Sequence, residues 1–317
     1  MCKLMMICGI PDGKSRLAAK FIRKSLPFMT SEDQDGVGYA ALGSKGVFGE
    51  RWLNFESALK SRSTFTKDQQ VINKFFENAV GHNYKNYTRF GEGTINSAKT
   101  ILFHTRYATN SKTMTNTHPF VIKDTALIHN GVILNDSDIM RFHEDKISTC
   151  DSEAILQEYL ANNVSEEPEA IQEMADLLDG WYACGVLTKD VTGRHVVDIF
   201  KCAKSNLVVG LVPEIQSFVF CTELDILKET AKAAKMSVVA YDDIVGGKLI
   251  RMDATTGEKI KIIEFKAEPD KKMLKTISKT PEYSPSYNNK DWYHEDSWND
   301  KDEYSKWDYV TEKFPAA

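Results

Sequence analysis

The chain has 317 residues, of which 42% are hydrophobic and 27% are charged, an ordinary composition for a globular protein with a substantial core. Its net charge of −5 gives no general attraction to nucleic acid or to an anionic membrane. No apolar run approaches the roughly 20 residues of a membrane helix, and the N-terminus lacks the features of a secretory signal. The sequence therefore predicts a cytoplasmic protein.

Strands and helices are predicted in blocks along the chain. In chain order, the apolar patterns predict a strand over 2–10, a helix over 16–26, strands over 36–42, 99–104 and 125–129, helices over 153–161 and 168–178, four strands between 182 and 221, a helix over 224–236 and two or three strands over 237–265. Blocks of strands alternate with blocks of helices, and this order favours an α+β fold with antiparallel sheets.

Two segments differ from this pattern, and we expect one main domain over residues 2–265. Residues 45–98 are polar and aromatic, with one helical run over 66–80, and they read as an insertion between strands. The tail, 266–317, is charged and rich in Trp and Tyr but poor in aliphatic residues. It is either a disordered segment or a binding segment whose aromatic residues anchor on a partner or on its own domain.

Cys2 directly follows Met1 and is a candidate nucleophile. Removal of Met1 would leave a residue with both a thiol and an α-amine, whose ordinary pKa is about 8. Such an amine is able to take the thiol proton directly or through water. A cysteine at this position also occurs by chance, and Cys8 is a rival that would require the removal of a short propeptide.

The other cysteines are interpreted as structural. Cys8, Cys184, Cys202 and Cys221 are predicted to be small buried hydrophobes, since no pair has the C-x-x-C spacing of a metal or redox motif. Four of the seven histidines lie close together in the sequence, but their spacing matches no metal-binding motif. The sequence therefore predicts neither a metal site nor a cofactor.

Several polar residues further along have both a structural and a functional interpretation. Arg106, at a strand end, suits a surface ion pair or a clamp for a carboxylate. Asn130-Gly131 is typical of a hairpin turn, and such a turn would also offer two donors to an oxyanion. Asp151 suits a helix N-cap or a site for an ammonium group. His118 suits a structural turn.

The order and spacing of these residues together resemble a known family. The series consists of Cys2, Asp35-Gly36-x-Gly38, His104-Thr105-Arg106-x-Ala108-Thr109, Asn116-x-His118-Pro119, His129-Asn130-Gly131 and Asp151-Ser152-Glu153. It closely resembles the class II glutamine amidotransferase domain, of the N-terminal-nucleophile hydrolase superfamily. The start is similar to the branch that begins Met-Cys-x-Leu, and the resemblance spans about residues 2–255. Tyr107 stands where many members have Trp, and Asn110 where several have His.

The resemblance implies a four-layer α-β-β-α sandwich of two antiparallel sheets. It implies that Cys2 attacks the side-chain amide of glutamine with its α-amine as base, and that Asn130 and Gly131 stabilise the oxyanion. The implied substrate-binding residues are Arg106 for the α-carboxylate, Asp151 for the α-ammonium group, and Thr109 and His118 for the walls of the pocket.

Three functions remain open at this point. The first is a glutamine-hydrolysing subunit that releases ammonia for a separate acceptor synthetase or transferase, with the tail as a docking element. The second is a stand-alone hydrolase of another γ-glutamyl amide. The third, an inactive binding scaffold, is disfavoured because every principal catalytic position of the family is filled.

Overall fold

The computed structural model describes residues 2–30, 34–44, 46–53, 98–108, 112–269, 271 and 273–274, without the side chains of residues 52 and 53. The described residues form two antiparallel sheets, of seven and six strands, with helices on their outer faces. None of the helices in these ranges is long and apolar enough to cross a membrane. The predicted helix over 66–80 and the segments 54–97 and 275–317 lie outside the described residues.

All the strand pairs among the described residues are antiparallel; some join consecutive strands, and others join strands that are far apart in the sequence. In chain order they are β1 (Lys3–Cys8), β2 (Gly36–Gly43), β3 (Gly46–Leu53), β4 (Thr100–Arg106), β5 (Phe120–Ile122), β6 (Thr125–Ile133), β7 (Gly180–Lys189), β8 (His195–Lys201), β9 (Val208–Val212), β10 (Ser217–Cys221), β11 (Ala240–Asp243), β12 (Lys248–Asp253) and β13 (Lys259–Glu264). Sheet A has the order β11-β9-β10-β1-β4-β2-β3, and sheet B has the order β13-β12-β8-β7-β6-β5.

The helices cover the outer face of each sheet. They are α1 (Ser15–Met29), α2 (Asp136–Met140), α3 (Ser152–Ala161), α4 (Ile171–Leu177) and α5 (Leu224–Ala234), with a 3-10 turn over Pro168–Ala170 before α4. Apolar side chains of α1 and α5 pack on sheet A, and those of α3 and α4 pack on sheet B.

Alternation along the strands sorts the core into three apolar layers. In β1, Met5 and Ile7 pack toward α1 and α5, while Leu4 and Met6 pack between the sheets. Each sheet is therefore buried on both faces, and this explains why the strands read as continuous apolar runs rather than as alternating ones. The described residues thus form the predicted α+β sandwich with the layer order α-β-β-α.

Three elements were not predicted from the sequence. Strand β5 has three residues and helix α2 has five, so neither is long enough to show a period. Strand β3 carries Glu50 and Arg51 and falls in the range that was assigned to the insertion, yet it pairs along its whole length with β2. Helix α1 also runs past its predicted end, through Pro27 to Met29.

Candidate active site

Cys2 lies at the start of β1, where the chain enters sheet A. Side chains alternate along a strand, so Cys2 falls on the same face as Leu4 and Met6, which look toward sheet B. Its half-buried thiol lies against the main chain of Tyr107, just after β4. The Tyr107 N–H donates to Cys2 Sγ at 3.4 Å, and the thiol donates to the Tyr107 carbonyl at 3.7 Å.

The electrostatic surroundings of the Cys2 thiol keep it protonated at neutral pH. Burial raises the pKa of this thiol to about 11, the hydrogen bond from Tyr107 lowers it, the charge of Asp151 raises it and that of Arg106 lowers it. A base is therefore required before Cys2 can act as a nucleophile. Asp151 and Arg106, with opposite charges, both lie within electrostatic range of the sulfur.

The rival nucleophile, Cys8, has no comparable access. It is 1% exposed, at the far end of β1 between the two sheets, and burial raises the pKa of its thiol to about 12. Its surroundings are those of a core residue. The prediction that Cys8, Cys184, Cys202 and Cys221 are buried is confirmed.

Arg106 ends β4 and is buried rather than exposed at the surface. Its Nη1 lies 3.2 Å from Oδ2 of Asp35, which is also buried. Asp35 also accepts from the Ala108 N–H through Oδ1 at 2.9 Å, and its own N–H donates to the Arg106 carbonyl at 2.8 Å. The interpretation of Arg106 as part of a surface ion pair is therefore wrong.

Asp35 is a site residue to which the sequence assigned no role. It comes directly before β2, and Gly36 of β2 pairs with Arg106 of β4. The sequence does show that Asp35 comes one residue before a predicted strand, and this position could have marked it as a partner for Arg106. A single sequence does not show which strands are neighbours, so the pairing had to come from the structure.

Asn130 and Gly131 lie inside β6, not in a turn. Asn130 pairs with Ala183 and Gly131 with Tyr182 of β7, so the hairpin-turn interpretation is wrong. Glycine is needed here because φ is +151° and a Cβ would lie 2.0 Å from the carbonyl oxygen of Trp181. Tertiary pairing with β7 has overridden the local turn preference.

The side chain of Asn130 faces sheet A, in the same row as Ala126 and Ile128. It therefore looks across the space between the sheets, toward the layer that carries Cys2. Asn130 is 4% exposed, and its Oδ1 has no hydrogen-bond partner among the described residues. Buried amide oxygens usually accept a hydrogen bond, so this one is available to accept a hydrogen bond from a ligand or from water.

Asp151 stands at the N-cap position of α3, but its carboxylate does not cap the helix. Its Oδ2 instead accepts from the Ile133 N–H at 2.8 Å, and its Oδ1 accepts from the Cys150 thiol at 3.3 Å. The side-chain cap that the sequence suggested is therefore wrong. The contact with Ile133 holds Asp151 at the end of β6, beyond Asn130 and Gly131.

Two motif residues without an assigned role hold the loops around Asp151. Asn116 donates to Thr149 Oγ1 at 2.9 Å and accepts from the Thr149 N–H at 3.0 Å. Glu153, fully buried in the first turn of α3, accepts from the N–H groups of Ile147 and Ser148 at 2.7 and 2.6 Å. Both contacts fix the loop that leads into Asp151.

Three buried histidines lie behind the site. The rings of His104 and His118 pack against each other at a tilt of 36° with centroids 3.9 Å apart, and the ring centroids of His118 and His129 are 6.4 Å apart. Burial lowers the pKa of all three rings, that of His104 to about 3, so they are neutral at physiological pH. No cluster in the described part of the chain has the three acidic, His or Cys ligands that would hold a metal.

The structure thus gathers most of the predicted site residues at one end of the sandwich. The charges of Arg106 and Asp151 both act on the Cys2 thiol, and Asn130 faces the layer of Cys2. His118 is 2% exposed and packs on His104, so it lies deeper than the wall of an open pocket. Thr109 and Asn110 lie outside the described residues.

Comparison with known proteins gives relatives that are longer than this chain. The chain is 26% identical over 197 residues to glutamine–fructose-6-phosphate aminotransferase (isomerizing) of Acinetobacter baylyi, covering 56% of this chain and 31% of that protein. It is 35% identical over 108 residues to the protein of the same name from Caldanaerobacter subterraneus, covering 31% of this chain and 17% of that one. No protein-family model matches the chain.

The fold also occurs among solved structures. Glutamine phosphoribosylpyrophosphate amidotransferase of B. subtilis, complexed with ADP and GMP, superposes with a TM-score of 0.57 at 15% identity, covering 83% of this chain and 49% of that one. This likeness shows that the described residues share the fold of the matched half of that protein. Together with the sequence relatives, it confirms the predicted resemblance to the glutamine amidotransferases.

Proposed function

We propose that this chain, as a relative of the class II glutamine amidotransferases, hydrolyses the side-chain amide of glutamine with Cys2 as the nucleophile. The observation that carries the proposal is the position of the Cys2 sulfur against the main chain of Tyr107, directly after Arg106, where the charges of Arg106 and Asp151 both act on it. Glutamine carries an α-carboxylate and an α-ammonium group, and these two residues are complementary to them.

The reaction begins when the α-amine of Cys2, made available by removal of Met1, takes the proton of the thiol. The thiolate attacks the amide carbon, and the carbonyl oxygen becomes an oxyanion. The Asn130 amide and the Gly131 N–H donate to that oxyanion from β6. Each such donor typically contributes about 3 kcal/mol to lowering the barrier.

The intermediate then breaks down in two stages. The C–N bond breaks, the ammonium group of Cys2 returns its proton to the leaving nitrogen, and ammonia departs from a glutamyl thioester. Water attacks the thioester with the same amine as base, and the C–S bond breaks. The ammonium group returns its proton to the leaving sulfur, so that glutamate is released and the thiol and the amine are regenerated. The α-amine thus acts as base and then as acid in each of the two stages.

The ammonia released from glutamine passes to an acceptor enzyme. This part of the proposal is supported by the names of the relatives, an aminotransferase and an amidotransferase. The chain spans 31% of the Acinetobacter relative and 49% of the B. subtilis amidotransferase. The tail, residues 266–317, is rich in Trp and Tyr, and we assign it to docking on the acceptor enzyme.

The test measures glutamate and ammonia released from glutamine by the full chain. Cys2→Ala should abolish release and leave the circular dichroism spectrum unchanged, whereas Cys8→Ala, the matched control in the same strand, should retain activity. Turnover by the Cys2→Ala variant would refute the nucleophile assignment. Hydrolysis of a larger γ-glutamyl amide but not of glutamine would replace the proposed substrate and retain the site.

A further inference from the structure

His104 connects the two halves of the proposed site across the gap between the sheets. It is fully buried on β4, two residues before Arg106, so both side chains face sheet B. Its Nε2 lies 2.9 Å from the carbonyl oxygen of His129 in β6. The peptide group that contains this carbonyl also contains the N–H of Asn130, so the bond holds the peptide that leads into the oxyanion donors.

The direction of this hydrogen bond is fixed by chemistry. Burial lowers the pKa of His104 to about 3, so the ring is neutral and carries a single N–H. A carbonyl oxygen only accepts, and the proton therefore sits on Nε2. Nδ1 has no partner among the described residues. The ring also packs against that of His118, with centroids 3.9 Å apart.

The site end of β6 needs this support because its strand pairing is incomplete. Strand β5 pairs with β6 only over Thr125–Leu127. Beyond Leu127, the described residues give β6 a single strand neighbour, β7. Gly131 adds no side chain that could pack. The bond from His104 is a tether from sheet A to this less supported stretch.

We propose that His104 is a positioning residue that aims the Asn130 and Gly131 donors at the oxyanion. This inference rests on the proposed glutamine hydrolysis and adds a residue for which the reaction scheme has no chemical step. Oxyanion donors act only when held within about 0.5 Å of the productive position. Loss of the tether should therefore affect the transition state more than the binding of the substrate.

The experiment compares His104→Phe, which keeps an aromatic ring without a donor, with His104→Gln, whose amide nitrogen reaches the position of Nε2. His104→Phe should lower kcat about 10–100-fold and change the KM for glutamine less than about twofold, while His104→Gln should recover part of kcat. The control is His195→Phe, a histidine on β8 that is remote from the oxyanion donors. His195 pairs with Lys189 of β7, six residues along that strand from Ala183, the residue that pairs with Asn130. It should keep kcat.

A second readout separates positioning from general support of the fold. Glutamine binding is measured by calorimetry in the Cys2→Ala background, with and without His104→Phe, and the two dissociation constants should agree. If the Phe variant does not fold, His104→Gln is compared with His104→Met, which has a similar length and no donor.

Two results would overturn the inference while the proposed function stands. One is a kcat of His104→Phe equal to that of the wild type, and the other is a parallel loss of glutamine binding and kcat, which indicates a merely structural role. A wild-type protein that hydrolyses neither glutamine nor another γ-glutamyl amide overturns the proposed function, and this inference with it.

Discussion

Two buried polar clusters, one on each face of sheet B, are built on opposite principles. On the helix side, Asp198 accepts from Arg251 at 2.7 and 2.6 Å and from the Tyr159 hydroxyl at 2.6 Å. On the side that faces sheet A, Asn130 Oδ1 and both ring nitrogens of His118 have no partner among the described residues. The first cluster is saturated, and the second retains hydrogen-bonding capacity.

This difference in hydrogen bonding distinguishes polar groups that stabilise the fold from polar groups that are available to bind a ligand. Within the described part of the chain, ten buried side-chain N and O atoms lack a partner, and five of them belong to His104, His118, His129 and Asn130. Unsatisfied buried polar groups cost stability. Four of these five atoms belong to the histidines behind the site, where buried water would supply the missing partners. The fifth, Asn130 Oδ1, is on the face of sheet B toward the layer of Cys2, where a substrate or water would supply its partner.

The largest effect on stability is expected in the saturated cluster. Arg251→Met leaves Asp198 as an uncompensated buried charge, and it should lower the free energy of unfolding by about 3–5 kcal/mol. The double variant Asp198→Leu with Arg251→Met should cost much less, since it removes both charges. Denaturant unfolding measures both variants, and equal losses in the two would show that the pair is not a coupled buried unit.

At the site the expected loss is in catalysis rather than in stability. Asn130→Ala should lower kcat for glutamine about 10²–10³-fold with almost no change in the unfolding midpoint. The matched control is Asn135→Ala, because both ends of that amide are paired, with Leu177 and Asp179. The control should lose stability and keep activity, and the reverse pattern would invalidate the comparison between the clusters.

Much of this arrangement could be predicted from the sequence because the decisive signals are local. Apolar runs mark strands such as β1 and β4, and the ordered motifs from Cys2 to Asp151 point to one site. The predictions that were wrong or missing concern residues whose surroundings are set by contacts far apart in the sequence. Asn130-Gly131 has a strong local turn preference, but pairing with β7 decides its conformation. The partner of Arg106 depends on the pairing of β2 with β4.

The substrate-binding part of the site should be sensitive to the support of Arg106. Asp35→Asn removes a carboxylate that lies 3.2 Å from the guanidinium, and it should raise the KM for glutamine about tenfold, equivalent to about 1.4 kcal/mol, with a smaller change in kcat. The control is Asp12→Asn, an exposed carboxylate paired with Lys99. Steady-state kinetics that give equal KM values for both variants would contradict a positioning role for Asp35.

The last prediction concerns the pH dependence of stability. Because burial lowers the pKa of His104 to about 3, the folded state excludes a proton that the unfolded state binds below pH of about 6.5. The contribution of this ring is thus complete above that pH and is lost as the pH falls toward 3. His104→Phe should reduce the slope of unfolding free energy against pH by up to about 1.4 kcal/mol per unit between pH 4 and 6. An unchanged slope would show that the ring is already protonated in the folded state.

The central claim is that Cys2 becomes the N-terminal residue and attacks glutamine as the nucleophile. Mass spectrometry of the native protein tests this claim most directly. The full chain is mixed with glutamine, quenched with acid and digested. The account predicts that Met1 is absent and that a glutamyl group is attached to the peptide that begins with Cys2. Retention of Met1 in an active protein, or a glutamyl group on any other residue, would contradict it.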